Sequence, residues 1–152
     1  MEIQFSETDL KPLKKIVSLN HKIFKGMYEE EPYSLEKYKK RLYNKEKIIF
    51  IAKLKDQIIA DSISFVKDDS LYLWVLGVSK QFRNQGIATK LLKLNEEYAK
   101  KRRINYITTK VYNVSTSMLG LCVKKGYLIV NIDKHKENPK YNTIHLKFLV
   151  ET

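Results

Sequence analysis

Residues 71–92 pass from an unbroken apolar run, through one short polar turn, into an amphipathic repeat, and a chain holding this succession has few ways to fold. Tyr72, Leu73, Trp74, Val75, Leu76 and Val78 make the run, as expected of a strand buried on both faces. Arg83, Asn84, Gln85 and Gly86 end it. Ile87, Leu91, Leu94 and Tyr98 then recur at i, i+4, i+7 and i+11, which gives a helix one apolar stripe to lay against a sheet. The strand therefore aims at a helix N-terminus, where the first N–H groups have no intrahelical acceptor and the macrodipole is positive. A pyrophosphate can be bound there by main chain alone. Gly86, lacking a Cβ, lets phosphate oxygens approach the backbone.

The rest reads as an α/β chain. Residues 1–5 alternate like a short strand, and Ser6 with Asp9 resembles a capping signal before a helix carrying Leu10, Leu13 and Val17, with Pro12 tolerated only near its start. Residues 25–33 lack periodicity and predict a loop; from about Ser34 a second helix has Leu35, Tyr38 and Leu42 on one face. Residues 47–55 and 57–66 read as two strands joined at Asp56, with turn residues Asp68, Asp69 and Ser70 before the run described above. Residues 104–112 predict a strand parallel to that run through a right-handed crossover. Ser115, Thr116 or Ser117 can cap the next helix and Gly126 can end it. Residues 127–133 form another strand, and after a polar loop containing Asn138 and Pro139 the last strand alternates Ile144, Leu146, Phe148 and Val150 with His145 and Lys147.

A length of 152 residues fits a single domain, 1–152, able to bury roughly 70% of its unfolded surface. Cys122 is the only cysteine, so no intrachain disulfide can form; with no apolar stretch of membrane length and no signal-peptide pattern, a cytoplasmic location and no membrane partner are expected. One cysteine and three separated histidines, His21, His135 and His145, give no metal-ligand spacing. The net charge of +12 favours anionic partners, yet the basic residues are scattered, which argues against nucleic acid. The tight cluster Lys100, Lys101, Arg102 and Arg103 falls where a helix ends and complements its dipole.

Arg83, Gly86 and Ala88 resemble the signature of the GNAT acyl-CoA N-acyltransferases: Arg or Gln, two residues, Gly, one residue, then Gly or Ala. Residues 115–127, which end on Gly126-Tyr127, are similar to a later helix of that family that opens with Asn and closes on a Gly-aromatic pair. The resemblance implies a mixed, mostly antiparallel sheet of six to seven strands, splayed between its central parallel strands and flanked by about four helices. It also implies acetyl-CoA as cosubstrate, with direct transfer of its acetyl group to a primary amine of a small molecule or peptide, by a monomer or homodimer. By position, Leu76, Gly77 and Val78 would align pantetheine, and Arg83, Asn84, Gln85, Gly86, Ile87, Ala88 and Thr89 would surround the pyrophosphate. The Leu76 or Val78 N–H would meet the developing oxyanion.

Three positions depart from the family pattern. Cys122 stands where many members have a tyrosine that protonates the leaving thiolate; a thiol can donate a proton, although lone cysteines commonly serve as core packing. Tyr72 stands where some members place a glutamate base, so the carboxylate would have to come from Glu29, Glu30 or Glu31 in the loop that borders the acceptor site in the family, or from Asp68 or Asp69. His135 lies in a second loop that can overhang the acceptor. Ser115 replaces the asparagine, with Asn113 two residues earlier; either can hydrogen-bond pantetheine, and Ser115 can equally cap the helix. A CoA-binding sensor without catalysis, and an enzyme acting on protein amino termini or lysines, remain open alternatives.

Overall fold

The computed structural model describes residues 2–151; the reading of a strand at Met1 lies outside them. Seven strands form one sheet in the order β1-β2-β3-β4-β5-β7-β6. They are β1 (Ile3–Thr8), β2 (Lys47–Leu54), β3 (Gln57–Lys67), β4 (Ser70–Val78), β5 (Tyr106–Tyr112), β6 (Leu128–Asp133) and β7 (Thr143–Leu149). The pairing is antiparallel everywhere except between β4 and β5. Helices α1 (Leu13–Phe24) and α2 (Leu35–Leu42) follow β1, α3 (Ile87–Lys101) links β4 to β5, and α4 (Thr116–Lys124) links β5 to β6.

Each face of the sheet has its own core. Under α3 and α4, Leu91, Leu92 and Ala99 pack on Leu71, Leu73, Ile107, Val111, Ile144 and Leu146. On the opposite face, α1 and α2 bring Leu13, Ile16, Val17, Tyr38 and Leu42 against Ile49, Ile51, Ile63, Phe65 and Val75. Period-2 alternation sends Ser62 and Ser64 towards α3, where both bond Asn95, and Asp61 towards α1, where it accepts from Asn20. These buried polar contacts fix helix against sheet more narrowly than apolar packing does, because a slip would leave each group unpaired.

Ser34 caps α2, accepting from the Lys37 N–H at 3.2 Å. Gly126 ends the segment after α4 at φ +101°, as its position predicts. Ser6 does not cap α1: it lies inside β1, and the helix begins after Pro12, while Asp9 accepts from the Lys11 N–H in the preceding turn. Pro12 presets the backbone just outside the first turn and so delays the start beyond Leu10.

Candidate active site

β4 and β5 are paired only from Ser70 opposite Tyr106 to Leu73 opposite Thr109, whereas β3 stays paired with β4 to Val78. Beyond Leu73 the two central strands part. The cause lies within β4: Ile63 faces Val75 and Ser64 faces Leu73, so Trp74 is an extra residue with no opposite number. Such a bulge bends its strand and increases its twist. Thr109 marks the point of divergence, its hydroxyl donating to the Leu73 carbonyl at 2.9 Å.

The bulge also decides which main-chain groups meet the gap. Ser79 N–H donates to the Ile59 carbonyl on the β3 side at 2.8 Å. Successive residues of a strand point in alternate directions, so the Gly77 N–H also faces β3 while those of Leu76 and Val78 face the gap. Arg83 reaches this same edge, its Nε donating to the Val78 carbonyl at 3.3 Å. Gly77 has a different task. A Cβ there would lie 3.0 Å from Asn20 Oδ1, 3.0 Å from Ile23 Cδ1 and 3.3 Å from Phe24 Cζ, so the missing side chain lets α1 sit directly on β4.

At the end of the gap the chain enters α3. Gly86 precedes it in the left-handed region, φ +78° and ψ 9°, and Asn84 also has positive φ, 63°. No side chain caps the helix, no acidic residue occupies its first turn, and the first helical bond runs from Lys90 N–H to Gly86 carbonyl at 3.0 Å. The N–H groups of Ile87, Ala88 and Thr89 are therefore without intrahelical acceptors. Arg83, Asn84, Gln85 and Gly86 are exposed beside them. The arrangement fits a diphosphate: unpaired donors, a positive dipole end and an arginine at one turn.

Two loops close on each other across the far side. Tyr28, between α1 and α2, shares a 3.1 Å hydrogen bond with the Ser115 hydroxyl and packs on Tyr112 at 4.8 Å between centroids. Tyr112 in turn meets Tyr141, and Tyr141 meets His135, both from the loop between β6 and β7. His135 Nδ1 accepts from the N–H groups of Glu137 and Asn138 at 3.2 and 3.0 Å. That nitrogen therefore carries no proton, and Nε2–H points at the Glu29 carboxylate, 3.3 Å from Oε2. Tyr33 stacks on Trp74 at 5.6 Å, adding a further aromatic wall on the α1–α2 side.

Several sequence candidates fall elsewhere. Cys122 exposes none of its surface, belongs to the core under α3 and α4, and has its thiol pushed up to about 11 by burial. This placement favours the core-packing reading of Cys122 over proton donation to the leaving group, since a thiol enclosed among apolar side chains holds its proton. Tyr72 lies in the paired part of β4, 7% exposed, with burial raising its phenol, so it too keeps its proton. Glu30 is exposed in the α1–α2 loop and, after burial, is the main charge raising the Tyr112 phenol; its neighbour Glu29 is the carboxylate tied to His135. Ser115 stands at the α4 entrance but makes no cap bond, its hydroxyl being turned to Tyr28. Asn113 is committed to the Pro139 carbonyl at 3.2 Å. Glu31, Asp68 and Asp69 are exposed, and His145 pairs with Asp133 at 2.6 Å on the sheet face.

Asp61 was not a candidate. It is fully buried, its Oδ2 has no partner, and burial raises it to about 7. The one signal was a carboxylate within the otherwise apolar and small residues of β3. Among the described residues no group of three or more His, Cys, Asp or Glu is placed to hold a metal ion, and no helix is long and apolar enough to cross a membrane.

A sequence profile of the acetyltransferase (GNAT) family matches residues 13–127. No curated protein matches significantly. Solved structures with the same fold include the ribosomal-protein-S18-alanine N-acetyltransferase of Escherichia coli, 14% identical, TM-score 0.85, covering 99% of this chain and 96% of that one. The NatC complex bound to Gag peptide and CoA is 17% identical, TM-score 0.80, with coverage of 99% and 100%. A GNAT acetyltransferase of Elizabethkingia anophelis with acetyl-CoA bound is 21% identical, TM-score 0.74, with 97% of both chains covered.

Proposed function

This chain belongs to the acetyltransferase (GNAT) family, and on that premise we propose that it transfers an acetyl group from acetyl-CoA to a primary amine by direct attack in a ternary complex. The observation that carries the reading is the parting of β4 from β5 after Leu73, with a row of main-chain donors along the gap and an uncapped helix at its end. N–H groups of Ile87, Ala88 and Thr89, with the Arg83 guanidinium, hold the diphosphate. The Leu76 and Val78 groups pair with the pantetheine arm as a neighbouring strand would, and one N–H is left to stabilise the oxyanion of the tetrahedral intermediate. Removal of one such donor typically costs about 100- to 1000-fold in kcat.

The amine has to arrive unprotonated. Glu29, held by the His135 Nε2–H, is the carboxylate placed between the two overhanging loops, and it takes the ammonium proton directly or through water. The surrounding rings of Tyr28, Tyr112 and Tyr141 suit the alkyl stem of an amine and the cation before it loses its proton. As the tetrahedral intermediate collapses the C–S bond breaks, and the proton still on the attacking nitrogen passes directly or through water to the departing thiolate, so that free thiol leaves without Cys122 as the acid. Much of the acceleration then comes from orientation, which can supply about 7 to 11 kcal/mol.

The test is thermal unfolding with and without acetyl-CoA, followed by release of free thiol in the presence of amines. A ligand at about 100 times its Kd stabilises by roughly 2.7 kcal/mol, several degrees in Tm for a domain of this size. A shift with thiol release supports the transferase. A shift without release from any small or peptide amine would leave a CoA-binding sensor instead.

A further inference from the structure

Only half of one sheet face is covered. The core beneath α1 and α2 ends at β4, and no residue of β5, β7 or β6 belongs to it. On that side β5 and β7 present Tyr106, Thr108 and Lys110 with His145 and Lys147. Thr108 lies at the centre, in register with Tyr72 of β4 on one flank and Lys147 of β7 on the other.

The cations here converge on aromatic rings in place of carboxylates. Lys67 Nζ and Lys110 Nζ stand 5.4 and 5.9 Å from the Tyr72 centroid, and Lys147 Nζ stands 4.0 Å from that of Tyr106. Among the described residues, none of the three forms an ion pair. Of the acids around this face, Asp133 is occupied by His145, Asp68 and Asp69 sit beyond Lys67 in the hairpin turn, and Glu29 and Glu30 border its Tyr112 end. A row of lysines held on an open sheet, in a chain of net charge +12, is complementary to a polyanion.

We infer that the uncovered face of β5 and β7, centred on Thr108 and carrying Lys67, Lys110 and Lys147, binds an acidic polypeptide segment in extended conformation. A nucleic acid fits this surface less well, since single strands need free ring faces on which bases stack. Here Tyr72 is 7% exposed and a lysine already lies over each ring. Glutamate and aspartate side chains at alternate positions match the two-residue spacing of Thr108 and Lys110 along β5. Towards Tyr112 the face meets Glu29 and Glu30 of the α1–α2 loop, so an acidic segment lies over Lys67, Lys110 and Lys147 and stops short of that end. Binding of such a segment does not depend on acetyl transfer.

Fluorescence anisotropy with a labelled octaglutamate peptide tests the assignment. The wild-type protein should bind, and Lys110→Glu/Lys147→Glu should weaken binding by about tenfold or more, as expected when two favourable charge contacts are reversed. Lys14→Glu/Lys15→Glu, with the same change in net charge on the exposed side of α1, should change it by less than about twofold. Should the reversed variant fail to fold by circular dichroism, Lys110→Gln/Lys147→Gln carries the test with a loss of about threefold. Absence of wild-type binding, or equal loss in both reversed pairs, overturns the proposal. Tighter binding of an oligouridylate than of octaglutamate, lost in the same Lys110 and Lys147 variants, overturns it in favour of nucleic acid.

Discussion

Asn20 of α1 donates from Nδ2 to Asp61 Oδ1 of β3 at 3.0 Å, inside a core where the remaining oxygens of both side chains, Asn20 Oδ1 and Asp61 Oδ2, lack partners. Two acceptors short of a donor are relieved by one proton. Burial accordingly raises the Asp61 carboxyl from 3.8 to about 7, the Asn20 bond opposing the rise.

The direction of the pH effect follows. A folded pKa above the unfolded one means the folded state holds the proton more tightly, so this contribution to stability is complete below 3.8 and is lost as pH rises towards about 7. Asp61→Asn keeps a donor at every pH. Its advantage in Tm over wild type should therefore grow from acid to neutral pH and level off above about 7, as measured by thermal melts across that range. Parallel curves for the two proteins would show that Asp61 is ionised in the fold.

Gly77→Ala should destabilise by about 1 to 3 kcal/mol in urea unfolding, because the new methyl meets Asn20 and Ile23 at 3.0 Å and α1 must move off β4. Movement of α1 carries the Glu29 loop with it. The same variant should raise the KM for the amine more than that for acetyl-CoA.

Gly86 separates two effects. Gly86→Ala meets no atom within 4 Å but forces a left-handed alanine, a cost of about 1 to 2 kcal/mol with acetyl-CoA binding largely kept. Gly86→Glu adds negative charge beside the uncapped first turn, and its Tm shift with acetyl-CoA should vanish. An undiminished shift in a folded Gly86→Glu protein would place the diphosphate elsewhere.

Glu29→Gln should lower kcat/KM by about 100-fold or more, the usual contribution of a positioned base. Cys122→Ala should leave kcat within about twofold, and Cys122→Ser should cost about 1 to 3 kcal/mol by burying a hydroxyl in an apolar core. A large kcat loss in Cys122→Ala would return the thiol to the chemistry.

The order of elements and the α3 entrance were legible in the sequence, because alternation, 3.6-residue periodicity and Gly86 are local signals. The bulge at Trp74 was not: an unbroken apolar run looks the same with or without one extra residue, yet the bulge sets which N–H groups face the gap. The pairing of Glu29 with His135 spans 106 positions and leaves no local trace. Asn20 and Asp61 each look like an isolated polar residue on an apolar face, and only folding brings them together. Cys122 has two readings in the sequence, proton donor and core packing, because a place in a pattern says nothing about how deeply a short side chain sits.

The four-rung contact between β4 and β5 makes the protein two smaller sheets joined by a narrow seam. Past that seam the inner margins of both halves are left as exposed edges at the centre of the molecule, where most proteins have continuous pairing. A cosubstrate lying there would supply the absent rungs and couple the halves mechanically. Amide exchange at Leu76 and Val78 should then report occupancy more sharply than any change at the outer strands.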